Sequence, residues 1–311
     1  MAFVLGVGAG LAALGFRLGI VQLERLLYGA TDSAVLTGAA DMPWYLLIAV
    51  PALGGLIVGL ILHRFTADGR VRAVADVIEG AALHRGRVEI REGLASALAS
   101  LITLGSGGSA GREGPVVHLA ATLSTWMAVR INASGITGRD LLGCAVAGAV
   151  SASFNAPIAG AIFAMEVVLR HYALHAFAPI AIASVMGTVV NRHYFGDVAE
   201  FTLPVRNMLA FYWEIPAFLI LGLVSGLVAL ALMRSIFFAE DLANDVQSRL
   251  RLPRWLRPAL AGALVGALAI YAPQVIGIGY EVTTLALTGN MLLQEAIVIA
   301  VLKVVAVSIT L

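Results

Sequence analysis

Apolar stretches recur along the whole chain, parted by short breaks that carry arginine or aspartate. They run from Ala2 to Leu27, Trp44 to Leu62, Leu94 to Leu104, Val116 to Ile131, Leu141 to Leu169, Ala173 to Val190, Ile215 to Phe238, Ala259 to Ala272 and Met291 to Leu311. A helix needs about 20 apolar residues to cross a bilayer. Several stretches reach that length, while others are short or interrupted by Gly and Pro. The pattern predicts an all-α polytopic membrane protein. Backbone that leaves the helix at membrane depth survives only where protein buries it or a wet cavity lies beside it. Broken segments therefore point to a substrate or ion site. The run from Ala2 has no basic leader and no small-residue cleavage site behind a short core, so it reads as a mature span.

Composition sharpens this picture. Of 311 residues, 60% are hydrophobic and 13% charged, with a mean hydropathy of +0.92. Soluble domains carry roughly 25% charged residues, so too few polar groups are present to cover a water-facing surface. That excludes an ordinary cytosolic enzyme, a disordered chain and a nucleic-acid binder. Lys+Arg 20 against Asp+Glu 19 leaves a net charge of +1, with no electrostatic pull on a polyanion. The single Cys144 allows neither an internal disulfide nor a cysteine-based metal site. No metal and no cofactor is expected. The 33 glycines suit close helix packing in lipid.

The chain also repeats itself. Leu5-Gly6-x3-Gly10-Leu11-x-Ala13-Leu14 reappears as Leu221-Gly222-x3-Gly226-Leu227-x-Ala229-Leu230. Pro51-Ala52-Leu53-x-Gly55-x2-Val58-Gly59 reappears as Pro258-Ala259-Leu260-x-Gly262-x2-Val265-Gly266, and Ile102-Thr103-Leu104 as Ile309-Thr310-Leu311. The last two pairs share one sequence offset. Charge orients the halves. The break from Tyr28 to Pro43 has no Lys or Arg, while its counterpart carries Arg249, Arg251, Arg254 and Arg257. Conversely, Arg64, Arg70 and Arg72 follow Leu62, and the counterpart from Pro273 to Asn290 has no basic residue. Basic loops stay cytoplasmic, so equivalent loops lie on opposite faces and the repeat is inverted. The expected units are residues 1–205 and 206–311. The second, starting near Arg206, is then about half present, and the chain is expected to be a fragment of a longer transporter or channel.

One segment carries chemistry: Gly105-Ser106-Gly107-Gly108-Ser109-Ala110-Gly111-Arg112-Glu113-Gly114-Pro115, opening a helical run at Val116. Pro near a first turn is a helix-start signal, because that turn's N–H has no intrahelical partner. Glycines let the preceding backbone approach a ligand. Unpaired N–H donors and the positive dipole end then bind an anion. In low dielectric this holds a small anion without burying a full cation. Glu113 sits inside that site, where a carboxylate acts as a tethered competitor that leaves when protonated or displaced. A charge at membrane depth is costly and by default functional; a capping carboxylate on a solvated helix start is the plainer alternative. Arg112 is expected to brace the loop through carbonyls. A phosphate cradle is a weak reading, since the Gly-Lys-Ser/Thr ending is missing.

Gly111-Arg112-Glu113-Gly114-Pro115 resembles the GREGP signature of the CLC family of chloride channels and chloride/proton antiporters. Phe154-Asn155-Ala156-Pro157-Ile158-Ala159-Gly160, running into Phe163 and Glu166, resembles the family's FNAPLAG segment, and Gly277-Ile278-Gly279-Tyr280-Glu281 its segment late in the second half. The likeness runs over essentially the whole chain in order. It implies an inverted repeat of tilted, broken helices, an anion path within each subunit, a homodimer and a multi-pass integral membrane location, expected to be a bacterial inner membrane. It implies that Glu113 is the gating glutamate, with Gly111, Arg112, Gly114 and Pro115 framing the anion positions and chloride as the transported ligand.

Three departures matter. The family's GSGxP loop, whose Ser coordinates the central anion, falls where this chain reads Arg72-Ala73-Val74-Ala75-Asp76. No hydroxyl is offered there, so coordination is expected from backbone N–H groups at Ala73 and Val74. The family's antiporters carry an internal proton-transfer Glu just after the position of Glu166, and here it is Val167. An aliphatic side chain relays no proton, which favours a channel over a proton-coupled antiporter. The second Gly-rich loop and the coordinating Tyr would lie beyond Leu311.

Other residues have ordinary readings. Glu166 has two readings, a place in an internal vestibule or, favoured, a pair with Arg170 four residues on, and His118 is expected to be a packed, neutral histidine, since no second ligand sits at metal spacing. His84, Arg85, Arg87 and Arg91 read as a cytoplasmic loop, and Trp44, Tyr45, Tyr212 and Trp213 as interfacial anchors. An intramembrane hydrolase using Ser106 or Ser109 with His118 is the alternative from another class, though Ala110 after Ser109 breaks the rhomboid-type GxSG order.

Overall fold

The computed structural model describes residues 1–29, 38–39, 42–172, 174–196 and 211–311. Among these the regular structure is helix, without a strand. The helices are α1 (Ala2–Tyr28), α2 (Trp44–Phe65), α3 (Val74–Leu83), α4 (Ile90–Gly105), α5 (Glu113–Arg130), α6 (Gly135–Phe154), α7 (Pro157–Phe163), α8 (Leu174–Phe195), α9 (Phe211–Leu250), α10 (Arg257–Tyr271), α11 (Tyr280–Leu287) and α12 (Leu293–Thr310). Five of them are long and apolar enough to cross a membrane: α1, α2, α8, most of α9, and α12. Arg206, the expected start of the second repeat, and the ring of Trp213 lie outside the described residues.

Among the described residues each apolar stretch falls mainly on helix, with instructive differences. Leu141–Leu169 is not one span. Asn155 takes a left-handed φ of 53° that ends α6. Pro157, whose missing N–H costs nothing at a helix start, then opens α7. That helix continues as a π-turn, Ala164–Leu169, which Arg170 closes at φ 58°. At its other end α6 begins on Ser134, whose side chain accepts from the Thr137 N–H, an ordinary N-cap. The short helices α3 and α11 carry Asp76 and Glu79, and Glu281, so they escape a search for apolar runs.

The chain forms two compact units. The first comprises residues 1–23, 57–105 and 111–200, the second 24–56, 106–110 and 201–311. In the first, α6 is buried on nearly every side from Leu141 to Ala152, as expected of a helix that is apolar all round. Half of the residues in that stretch are Ala or Gly, which lets backbones touch there. A Cβ at Gly187 on α8 would stand 2.1 Å from the Gly148 carbonyl oxygen of α6, and one at Gly6 on α1 would stand 2.4 Å from that of Ala183. Ser151 and Ser184 share a hydrogen bond of 2.5 Å in the same interface.

In the second unit, α2 and α10 meet through equivalent residues. A Cβ at Gly55 would stand 2.0 Å from the Pro258 carbonyl oxygen, and one at Gly262 would stand 2.1 Å from that of Pro51. These are the positions that the two Pro-Ala-Leu-x-Gly segments place in register. Ser235 of α9 and Ser308 of α12 hydrogen-bond at 2.8 Å, the kind of small polar contact that joins helices in lipid.

Candidate functional site

The glycine-rich segment is the link from α4 to α5, and α5 begins three residues before Val116. Arg112 stands at the N-cap and Glu113 in the first turn. Pro115 therefore occupies the third helical position, where its missing N–H removes no intrahelical bond. The Glu113 carboxylate folds back over the start of its own helix. Its Oε2 lies 3.0 Å from where a Cβ at Gly111 would stand, so a side chain there would crowd the carboxylate. Its Oε1 lies 3.7 Å from Nε of Arg112, with the Glu113 side chain 29% exposed and that of Arg112 3%. Arg112 also lines a small cleft with Arg17, Val116, Ala152 and Asn191, so two guanidinium groups border it.

The same first turn meets the start of α3. A Cβ at Gly114 would stand 3.6 Å from the Ala73 Cβ. The structure thus brings Gly111, Arg112, Glu113 and Gly114 together with Ala73, and Pro115 and Val74 follow by chain continuity. At the start of α3 the backbone N–H of Ala73 is engaged: it donates to Asp76 Oδ2 at 2.7 Å. The other oxygen, Oδ1, accepts from Arg72 Nη1 at 3.2 Å. Arg72 Nη2 and Nε bond Glu92 Oε2 at 2.7 and 2.9 Å, Asp68 Oδ2 lies 3.1 Å from Nη1, and the Arg72 N–H donates to Ser96 Oγ at 2.9 Å. Where the family's hydroxyl was expected, this chain places a carboxylate held by an arginine. Sequence reading missed Asp76, although Ala73-x-x-Asp76 has the spacing by which a third-position acid reaches an N-cap amide.

His118 is packed, at 2% exposure. Glu166 does not pair with Arg170; it accepts from the Tyr172 hydroxyl at 3.3 Å. The π-turn and the left-handed Arg170 end the helix before an i,i+4 contact can form. Glu166 and Val167 are both exposed. Ser109 is fully buried, its N–H donating to Thr310 Oγ1 at 3.1 Å. Neither Ser109 Oγ nor His118 Nδ1 has a hydrogen-bond partner among the described residues, so no base activates that hydroxyl. Lys303 on α12, also unforeseen, donates to the Val275 and Gly277 carbonyls at 3.0 and 2.6 Å. It pins the turn that opens α11, where Gly277 and Gly279 take φ of 66° and 99°. No group of His, Cys, Asp and Glu able to hold a metal occurs among the described residues.

The family model described as voltage gated chloride channel matches residues 54–311. The chain belongs to this CLC family. It is 33% identical over 310 residues to a ClcB-like chloride channel protein of Ralstonia nicotianae, covering 98% of this chain and 70% of that protein. It is 31% identical to the voltage-gated ClC-type chloride channel ClcB of Shigella boydii, covering 99% of this chain and 72% of that one. Among solved structures, a slow cyanobacterial Cl−/H+ antiporter matches with a TM-score of 0.81 at 20% identity, over 99% of this chain and 73% of that chain. A CLC-type fluoride/proton antiporter matches with a TM-score of 0.79 at 19% identity, over 99% of this chain and 74% of that chain. The CLC fold, all-α and multi-pass in the membrane, is thereby that of this chain. CLC proteins are transporters and channels, and this one is not an enzyme.

Proposed function

We propose that this CLC protein moves small monovalent anions, chloride foremost, past the start of α5, and that the carboxylate of Glu113 competes with the anion for that seat. One observation carries the reading: the Glu113 carboxylate lies folded over Gly111 at the helix start, where the first-turn N–H groups and the dipole favour negative charge. Gly111 provides the space, Arg112 a neighbouring positive charge, and Gly114 with Pro115 the first turn. The anion and the carboxylate want the same donors, so the bound ion stabilises the displaced side chain and protonation at acidic external pH releases it. The names of the ClcB relatives fit chloride as the ligand.

Conduction is passive in this reading, because the position after Glu166 is Val167, which holds no proton. Proton-coupled exchange is the rival. Reconstituted vesicles separate the two: an imposed chloride gradient is expected to drive no uphill proton movement, and stoichiometric proton uptake would establish the antiporter instead. The mirrored Gly55–Pro258 and Gly262–Pro51 contacts support an inverted repeat of residues 1–205 and 206–311. Assembly as a homodimer in a bacterial inner membrane completes the proposal; the apolar side chains exposed along α9, Phe218 to Leu230 among them, fit cover by lipid or by a second copy.

A further inference from the structure

We infer that an anionic phospholipid of the cytoplasmic leaflet docks where the end of α2 lies beside the start of α4, its phosphate held between Arg64 and Arg91. Both helices turn an apolar stripe outward there. On α2, Ile57 and Leu60 are exposed, while Val58 and Leu62 are buried in one cluster with Ala99 of α4. On α4, Leu94 and Leu98 are exposed in the same way. One further turn along each stripe reaches an arginine: Arg64 stands four residues after Leu60, and Arg91 three before Leu94. The two guanidinium groups meet on one ring. They lie 5.7 and 5.5 Å from the centroid of Phe65, which is itself 44% exposed. The basic breaks after α2 and before α4 put this corner at the cytoplasmic face.

Apolar stripes alone would mean ordinary contact with lipid tails. What sets this corner apart is a pair of cations without an anion. Among the described residues neither Arg64 nor Arg91 makes a hydrogen bond or an ion pair; each is placed by the Phe65 ring. Asp68 and Glu92, acids of the same corner, are held by Arg72 instead, at 3.1 and 2.7 Å. Arg64 sits in the last turn of α2, where a positive charge suits the helix dipole. Arg91 is the second residue of α4, where the dipole favours a negative charge and a cation is out of place. A phosphate seated between the two answers both the charge and the dipole. Guanidinium forks match phosphate oxygens in pairs, and arginines at the cytoplasmic interface are drawn to anionic headgroups. The two acyl chains then follow the two stripes, Ile57–Leu60 and Leu94–Leu98. The inference does not rest on the role proposed for Glu113.

Native mass spectrometry of the full chain, titrated in detergent with phosphatidylglycerol and with phosphatidylcholine of the same acyl chains, tests this. Phosphatidylglycerol is expected to bind on the order of 30-fold more tightly, the scale of two arginines at an anionic leaflet. Arg64→Gln combined with Arg91→Gln is expected to remove that preference. Both side chains are exposed, so this variant is expected to melt at the parent's temperature. Arg70→Gln, at an exposed arginine outside the pair, is expected to keep the preference. Glycerol phosphate, which offers the anion without the chains, is expected not to displace the lipid at equal concentration. If the parent binds both lipids alike, or if Arg70→Gln loses as much as the double variant, the corner is general surface charge and the proposal falls. Displacement by glycerol phosphate would assign the arginines to a soluble anion and overturn it equally.

Discussion

Glu113→Ala is expected to conduct chloride at neutral and acidic external pH alike, whereas the parent protein conducts more as the external side is acidified. The sign follows from what competes at the helix start. On the proposed mechanism, the charged carboxylate competes for the first-turn donors of α5 and the protonated one gives them up, so acid opens the path. Alanine has nothing to protonate and nothing that reaches back over Gly111. Removing the competitor also raises conduction at neutral pH, on the order of tenfold if the competition is worth about 1.4 kcal/mol. Chloride efflux from vesicles across a series of external pH values measures both. A mutant with the parent's pH profile would show that Glu113 is a first-turn cap and no more. Glu113→Gln separates charge from shape, since it keeps the side chain's length and is expected to follow the alanine variant in losing pH dependence.

The largest structural effect is expected at Gly187. A side chain there meets the carbonyl oxygen, carbonyl carbon and Cα of Gly148 within 2.8 Å. All three are backbone of a helix buried on nearly every side, so no rotamer change relieves the clash. Gly187→Val is therefore expected to destabilise the protein by about 3 kcal/mol or more, at the upper end of overpacking effects. The loss should appear as a lowered unfolding temperature in detergent and a poor yield of folded protein. Gly222 on α9 is the control: nothing lies within 4 Å of a Cβ added there. Gly222→Val should change stability within about 0.5 kcal/mol, as surface substitutions do. Equal losses at both positions would mean that helix propensity, not close backbone approach, sets the demand for glycine.

The long spans and the start of α5 were legible because their signals are local. Long apolar runs set the spans, and a Gly-rich loop with Pro near the first turn announces a helix N-terminus wherever it falls. The break at Asn155-Ala156-Pro157 was legible only as a motif, since the apolar run continues through it. What sequence missed depends on contacts between distant segments. Arg72 and Glu92 are far apart in the chain, and only the packing of α4 beside the start of α3 makes them a pair. Lys303 reads as a lone charge on an apolar helix until the Val275 and Gly277 carbonyls are found around its ammonium. The Glu166–Arg170 pairing failed for a local reason that composition hides: the backbone there winds as a π-turn and then reverses at Arg170, so a spacing valid for an α-helix no longer brings the two side chains together.

Crystals of the protein and of Glu113→Gln, both soaked in bromide, provide the most direct measurement, because anomalous scattering locates the halide beside the side chain. In Glu113→Gln, bromide should occupy the start of α5 over Gly111, in the space that the Glu113 carboxylate takes in the parent, and the parent should show it there only with the carboxylate swung away. Bromide bound elsewhere in both, or bound at that helix start with the carboxylate undisturbed over Gly111, would show that ion and side chain do not share a seat.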